Sequence, residues 1–230
     1  MKYYEIRMAS DPAVTGLRDG GSQVEISRDG FVDKNQYDRL MSFIIGTNYW
    51  EKEDYNVDVI FNNIEYGVAE RSAKLSDFIC FRPHIVECPY IVSDLAKSVL
   101  ERFQMGEHCF YPIKLYKNKV VQKERYYLLY TPILDFDIVD YPSTSFYTGH
   151  AILGTKKYIP IKSREDKLRN PLVWVEKGIL TTTFDKTRDF FLSKVGGDFA
   201  SEQLMEEILH QGLTGLNFPR EKGAIFEYPE

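Results

Sequence analysis

Cysteine and tryptophan are scarce in this sequence, and long apolar runs are missing. Its three cysteines, Cys80, Cys88 and Cys109, are too few and too odd in number for a secreted disulfide framework, so a reducing compartment is expected. No apolar run approaches the ~18 residues that a membrane span needs. Lys2, Glu5 and Arg7 place charge where a signal peptide would carry its apolar stretch, which predicts a cytoplasmic protein with no membrane role. The 29 basic side chains are outnumbered by 34 acidic ones, for a net charge of −5. That balance argues against a nucleic-acid partner, which would require a basic footprint. Low-complexity segments and Pro/Ser-rich linkers are also missing, which predicts one α+β domain over residues 1–230.

What the chain does have is aromatic residues: 16 Tyr and 15 Phe beside 2 Trp. Flat and branched side chains pack well on pleated sheets, and tyrosine also suits partner-binding surfaces. The apolar patterning predicts mixed, largely antiparallel sheets packed with a few helices. The helices fall near residues 34–45, 94–104 and 201–211, with Asp33, Ser93 and Ser201 as N-caps. Strands are expected at Tyr4 to Met8, Gln23 to Ser27, Val57 to Ile64, Asp77 to Phe81, His108 to Tyr116 and Val120 to Tyr130. Further strands are expected at Tyr147 to Leu153, Leu172 to Val175, Ile179 to Phe184, Asp189 to Ser193 and Gly215 to Phe218. Tyr126 to Tyr130 is apolar on both faces, which places it centrally under cover on both sides. Two stretches echo one another, Ser93–helix–Gly106–strand and Ser201–helix–Gly212–strand. Such spacing is common in α+β chains and reads as architecture, with a true duplication as the alternative.

Residues able to do chemistry are scattered. Cys80, His84 and Cys88 recur every four residues, but Pro83 and Pro89 exclude a helix that would align them, and a zinc site would need a fourth ligand. His108 and Cys109 are neighbours on a strand and so point to opposite faces. Cys109 falls on the apolar side, as an inert core thiol. Asp135, Asp137 and Asp140 follow the central strand; as turn-forming aspartates they need no metal, although Asp135 and Asp137 share a face. Glu51, Glu53, Asp54 and Asp58 read as a solvated face. The sequence holds no nucleophile elbow, phosphate-cradling loop or His-Glu-x-x-His motif. No cofactor and no metal are expected.

Lys114, Lys117, Lys119, Lys123 and Arg125 cluster around one turn. Lysines on a strand edge discourage edge-to-edge association. Their nearness in sequence to the acids also makes a charge mosaic suited to a polar protein interface. The expected contact surface therefore joins this hairpin to Asp135, Asp137, Asp140, Tyr141 and Tyr147. An alternative is an enzyme whose acidic/His site assembles around Asp135, Asp137 and His150.

Several segments together resemble a known family. They are Asp77-Phe78-Ile79, the Ser93-capped helix with Leu95 and Leu100, and Cys109-Phe110-Tyr111-Pro112-Ile113-Lys114-Leu115. Tyr126-Tyr127-Leu128-Leu129-Tyr130, leading to Asp135 and Asp140, and Gly212-Leu213-Thr214-Gly215-Leu216-Asn217-Phe218 complete the set. Over residues 76–219 the chain resembles the bacterial immunity proteins of polymorphic toxin systems, typified by an immunity protein of Myxococcus and once known only as a domain of unknown function. Residues 1–75 carry no such likeness. The resemblance implies a cytoplasmic, non-catalytic antidote, monomeric or weakly homo-oligomeric, that binds a cognate protein toxin encoded next door. It carries over no catalytic residue.

Overall fold

The computed structural model describes residues 1–18, 20–45, 55–150, 153–219 and 223–229. The chain begins with β1 (Lys2–Met8), α1 (Pro12–Thr15), β2 (Val24–Glu25), α2 (Lys34–Ile44), α3 (Val57–Phe61) and β3 (Tyr66–Ala69). Next come β4 (Phe78–Ile79), β5 (Phe81–Arg82), β6 (Tyr90–Ser93), α4 (Asp94–Leu100), β7 (Cys109–Lys117), β8 (Val120–Val121) and β9 (Tyr126–Tyr130). The remainder holds β10 (Ile133–Leu134), β11 (Ser145–Thr148), β12 (Lys157–Ile159), α5 (Arg164–Arg169) and β13 (Trp174–Ile179). It ends with β14 (Phe190–Ser193), β15 (Asp198–Ser201), α6 (Glu202–His210), β16 (Leu216–Asn217) and β17 (Ile225–Glu227). The fold is α+β, with mixed, mostly antiparallel sheets as the patterning predicts.

The sequence echo extends far beyond two helices. One sheet runs β4-β6-β9-β7-β3-β2-β5, and the other β10-β14-β15-β1-β17-β13-β11-β12. Aligned as β4/β14, β6/β15, β9/β1, β7/β17, β3/β13 and β2/β11, the sheets share one order. Each neighbouring pair also has the same relative direction, including the parallel steps β7–β3 and β17–β13. The strand equivalent to β9 is β1, so the chain's first strand completes the sheet built by residues 133–227.

The capping serines lock the two halves reciprocally. The Ser93 hydroxyl accepts from the Ala96 amide and donates to Asp77 Oδ1 (2.8 Å), while Asp77 Oδ2 accepts from the Thr214 amide (2.8 Å) beyond α6. In the other half the Ser201 hydroxyl accepts from the Leu204 amide and donates to Asp189 Oδ1 (2.6 Å). Asp189 Oδ2 accepts from the Gln104 amide (2.9 Å) beyond α4. Each aspartate therefore orients its own helix cap and holds the loop after the other half's helix.

Burial follows the same plan. Val24, Phe61, Ile91, Ile113 and Leu128 belong to one buried cluster, and Phe146, Val175, Phe191, Phe199 and Phe226 to another. Between them lies a shared cluster in which Val92, Leu129, Phe190 and Ala200 meet Val99 and Leu100 of α4 and Leu204 and Ile208 of α6. Alternate residues of β6, β9, β14 and β15 feed different clusters, which explains why Leu128 and Leu129 are both apolar and both buried. On the face turned to the shared cluster, α4 and α6 cover only one end of each sheet. Beyond them, on β3–β2 and on β13–β11–β12, the same sheet face meets solvent.

Some expectations are corrected. Val57 to Ile64 is not a strand: Val57–Phe61 is helical, with the Asn56 side chain accepting from the Val59 amide (3.0 Å). Val57, Val59 and Phe61 alternate as in a strand, but Val57, Ile60, Phe61 and Ile64 fit helical spacing, and burial of Ile60 and Phe61 decides it. Leu172–Val175 and Ile179–Phe184 are not separate strands. A single strand, β13, spans Trp174–Ile179, and residues 181–184 form a turn closed by the Phe184 amide on the Thr181 carbonyl (3.1 Å). Gly178 looks like a break but lies within β13. A Cβ there would lie 2.2 Å from the Phe226 ring, so the glycine admits that ring. Val120 to Tyr130 is interrupted at residues 122–125, and β11 stops at Thr148. Within α4 and α6, Leu95 and Leu209 stand half exposed at the edges of the expected apolar stripes. Gly46, the expected stop for α2, and residues 151–152 lie outside the described residues. Among those described, no helix is long and apolar enough to cross a membrane.

Candidate interaction surface

The uncovered face of the second sheet carries an aromatic row. In register, Trp174 of β13 faces Tyr147 of β11, and Tyr147 faces Tyr158 of β12 at the sheet edge. Alternation requires this arrangement: Val175 and Phe146 point into the core, so Trp174 and Tyr147 must point out. Trp174 is 56% exposed, Tyr158 63%, and Leu172, two residues before Trp174, 76%. The row is tied in place. Glu176 accepts from the Tyr158 hydroxyl (2.6 Å) and pairs with Lys156, whose ammonium lies 4.3 Å from the Tyr147 ring centroid and 5.1 Å from that of Tyr158. Hydrogen bonds from Lys156 and Tyr158 hold the Glu176 carboxyl below its usual range, and Glu176 in turn raises the Lys156 pKa.

The basic hairpin forms a different surface. Asn118 and Lys119, both with positive φ (51° and 65°), make the tight turn between β7 and β8. Lys114 pairs with Glu65 (3.1 Å), Lys117 donates to the Ala73 carbonyl (2.5 Å), and Arg125 pairs with Asp94 (2.6 Å). Lys123 lines a slot of about 370 Å³ beside Lys114, Arg125 and the two tyrosines Tyr126 and Tyr127.

The acids lie elsewhere. The hairpin precedes β9 and the aspartates follow it; the five residues of that strand span roughly 16 Å at ~3.3 Å each. Asp135 caps a 3-10 turn through the Phe136 amide (2.7 Å) and faces Arg164 (3.3 Å) and Lys194 (3.6 Å). Burial works to raise its pKa, but the Phe136 amide, Lys194 and Arg164 prevail and hold it low. Asp137 also faces Arg164 (3.5 Å), and Asp140 accepts from the Ser143 hydroxyl (2.9 Å). Tyr141 is buried, donating to the Phe136 carbonyl (3.1 Å) and stacked on Phe146. The ten sequence-predicted contact residues therefore divide into the hairpin, the acids Asp135 and Asp137 paired with Arg164 or Lys194, Asp140 held by Ser143, a core tyrosine, and Tyr147 in the aromatic row.

Other candidates are also placed. The His150 amide donates to Thr155 Oγ1 (2.9 Å), whereas Asp135 and Asp137 engage Arg164; among the described residues no contact joins His150 to these aspartates. Burial pushes the Cys88 thiol up and lowers the pKa of His84. Cys109 is half-buried against the first cluster. Among the described residues no group of three or more His, Cys, Asp or Glu side chains is arranged to hold a metal. Asp58 accepts a hydrogen bond from the Tyr111 hydroxyl, while Glu51, Glu53 and Asp54 lie outside the described residues. Sequence reasoning missed Trp174, Tyr158, Lys156 and Glu176, although the alternation Trp174-Val175-Glu176 was a usable signal. No protein-family model matches the chain, and no curated protein is significantly similar to it.

Proposed function

We propose that this chain is a cytoplasmic, non-catalytic bacterial immunity protein that neutralises a cognate toxin, encoded beside it, by direct binding. The carrying observation is the outward-facing row Trp174–Tyr147–Tyr158, whose two ends are exposed. Large aromatic side chains left in water on a rigid sheet are the residues that dominate protein interfaces when a partner desolvates them. The Lys156–Glu176–Tyr158 contacts order these side chains in advance and reduce the entropy lost on docking. The resemblance of residues 76–219 to immunity proteins supports the same reading and gives the partner class.

Co-expression with the product of the gene immediately upstream tests it. Rescue of growth and a co-purifying complex are expected, with both lost in Trp174→Glu. Full toxicity in the presence of folded wild-type protein would reject the reading.

A further inference from the structure

We propose that the slot beneath the basic hairpin receives an acidic segment of a partner protein, with one apolar side chain of that segment as its anchor. The inference rests on the reading that the chain acts by binding protein, but it concerns a surface separate from the aromatic row.

The slot arises from a mismatch in pairing. Strand β7 pairs with β9 up to Ile113–Tyr126 and with β8 from Tyr116–Val121. Between these points two residues of β7, Lys114 and Leu115, face four, Gln122 to Arg125. The Gln122 amide closes onto the Leu115 carbonyl (2.8 Å), and the excess chain bulges outward. The space left behind, about 370 Å³, is walled by Pro112, Ile113 and Tyr127 and is predominantly apolar. That is enough for one large side chain with its flanking backbone, at the lower end of ligand-site volumes (about 300–1,000 Å³).

Charge selects the occupant. Residues 114–125 carry five cations against the single anion Glu124, in a chain of net charge −5, so the hairpin is a basic island on an acidic molecule. Lys114 and Arg125 are already paired with Glu65 and Asp94. Lys119 at the tip and Lys123 on the rim have no ion-pair partner among the described residues and are available to an incoming carboxylate. A nucleic acid fits poorly, since it needs a broader basic footprint than this one turn supplies in a chain of net charge −5. An apolar residue flanked by Asp or Glu matches both the walls and the rim.

Selection of a displayed random-peptide library against the full-length protein tests this. Recovered peptides are expected to combine a large apolar residue with neighbouring acids and to shift the amide resonances of residues 112–127. They should bind Lys123→Glu and Lys119→Glu at least tenfold more weakly, and lose affinity as salt rises. Peptides without acidic enrichment, peptides that shift other regions, or equal binding to both variants would overturn the proposal. So would N-acetyltyrosine binding in the slot as tightly as the peptides, which would assign it to a small ligand. Toxin rescue reads the aromatic row separately, so failure of one does not imply failure of the other.

Discussion

At the scale of single residues, Glu87 stands out. It is 6% exposed, and its Oε2 has no hydrogen-bond partner among the described residues. Burial pushes its pKa up to about 7, against the opposing influence of Tyr55 and Lys194. Because the folded value lies above the ordinary 4.5, the native state binds the proton more tightly than the unfolded chain. The resulting stabilisation is complete below about pH 4.5 and is lost as pH rises toward 7. Glu87→Gln should flatten this dependence and raise stability at pH 8 by up to about 3 kcal/mol, at ~1.4 kcal/mol per pKa unit. Urea unfolding at pH 5 and pH 8 measures it. An unchanged slope in the variant would show that Glu87 is not the group responsible. Nothing in the sequence singled out Glu87, since burial of an isolated acid depends on packing between segments distant in the chain.

At the scale of elements, the aspartate brackets make a sharp prediction. Asp189 is buried and accepts from both the Ser201 hydroxyl and the Gln104 amide. Asp189→Ala strands both donors and should cost about 2–4 kcal/mol, as expected for buried hydrogen bonds to a charged group. Asp189→Asn keeps an acceptor and should cost less. A double-mutant cycle with Ser201→Ala should give a coupling of at least about 1 kcal/mol; additive effects would mean the bracket is not a unit. The helices were legible because caps and apolar spacing are local: Asp33, Ser93 and Ser201 each accept an amide hydrogen bond as expected. Short strands were less legible. Strands β6, β12, β15 and β17 have four residues or fewer, and their pairing is set by partners far away in sequence. Val57–Phe61 fits two periods, and only the packing of Ile60 and Phe61 distinguishes them.

At the scale of the whole molecule, the repeated sheet plan explains where binding surfaces can form. Helices α4 and α6 cover the β4-β6-β9 and β14-β15-β1 ends, leaving β3–β2 and β13–β11–β12 open on the corresponding face. Evolutionary pressure for solubility would fill such faces with polar residues; here one carries Trp174, Tyr147 and Tyr158. Trp174→Ala should leave folding stability within about 0.5 kcal/mol, because the side chain is largely exposed. The same change should weaken toxin binding by about 2 kcal/mol or more, the scale of an interface anchor. Of this site only Tyr147 was anticipated from the sequence, and it was grouped with acids that the fold places elsewhere. Proximity along the chain is not proximity in space: β9 separates the basic hairpin from those acids.

The most direct measurement is amide hydrogen exchange on the protein alone and mixed with the product of the adjacent upstream gene. A toxin docked on the aromatic row should slow exchange in Ser145–Thr148, Lys157–Ile159 and Trp174–Ile179, with the effect abolished by Trp174→Ala. Formation of a complex that leaves those three strands unprotected, or no complex at all, would contradict the account.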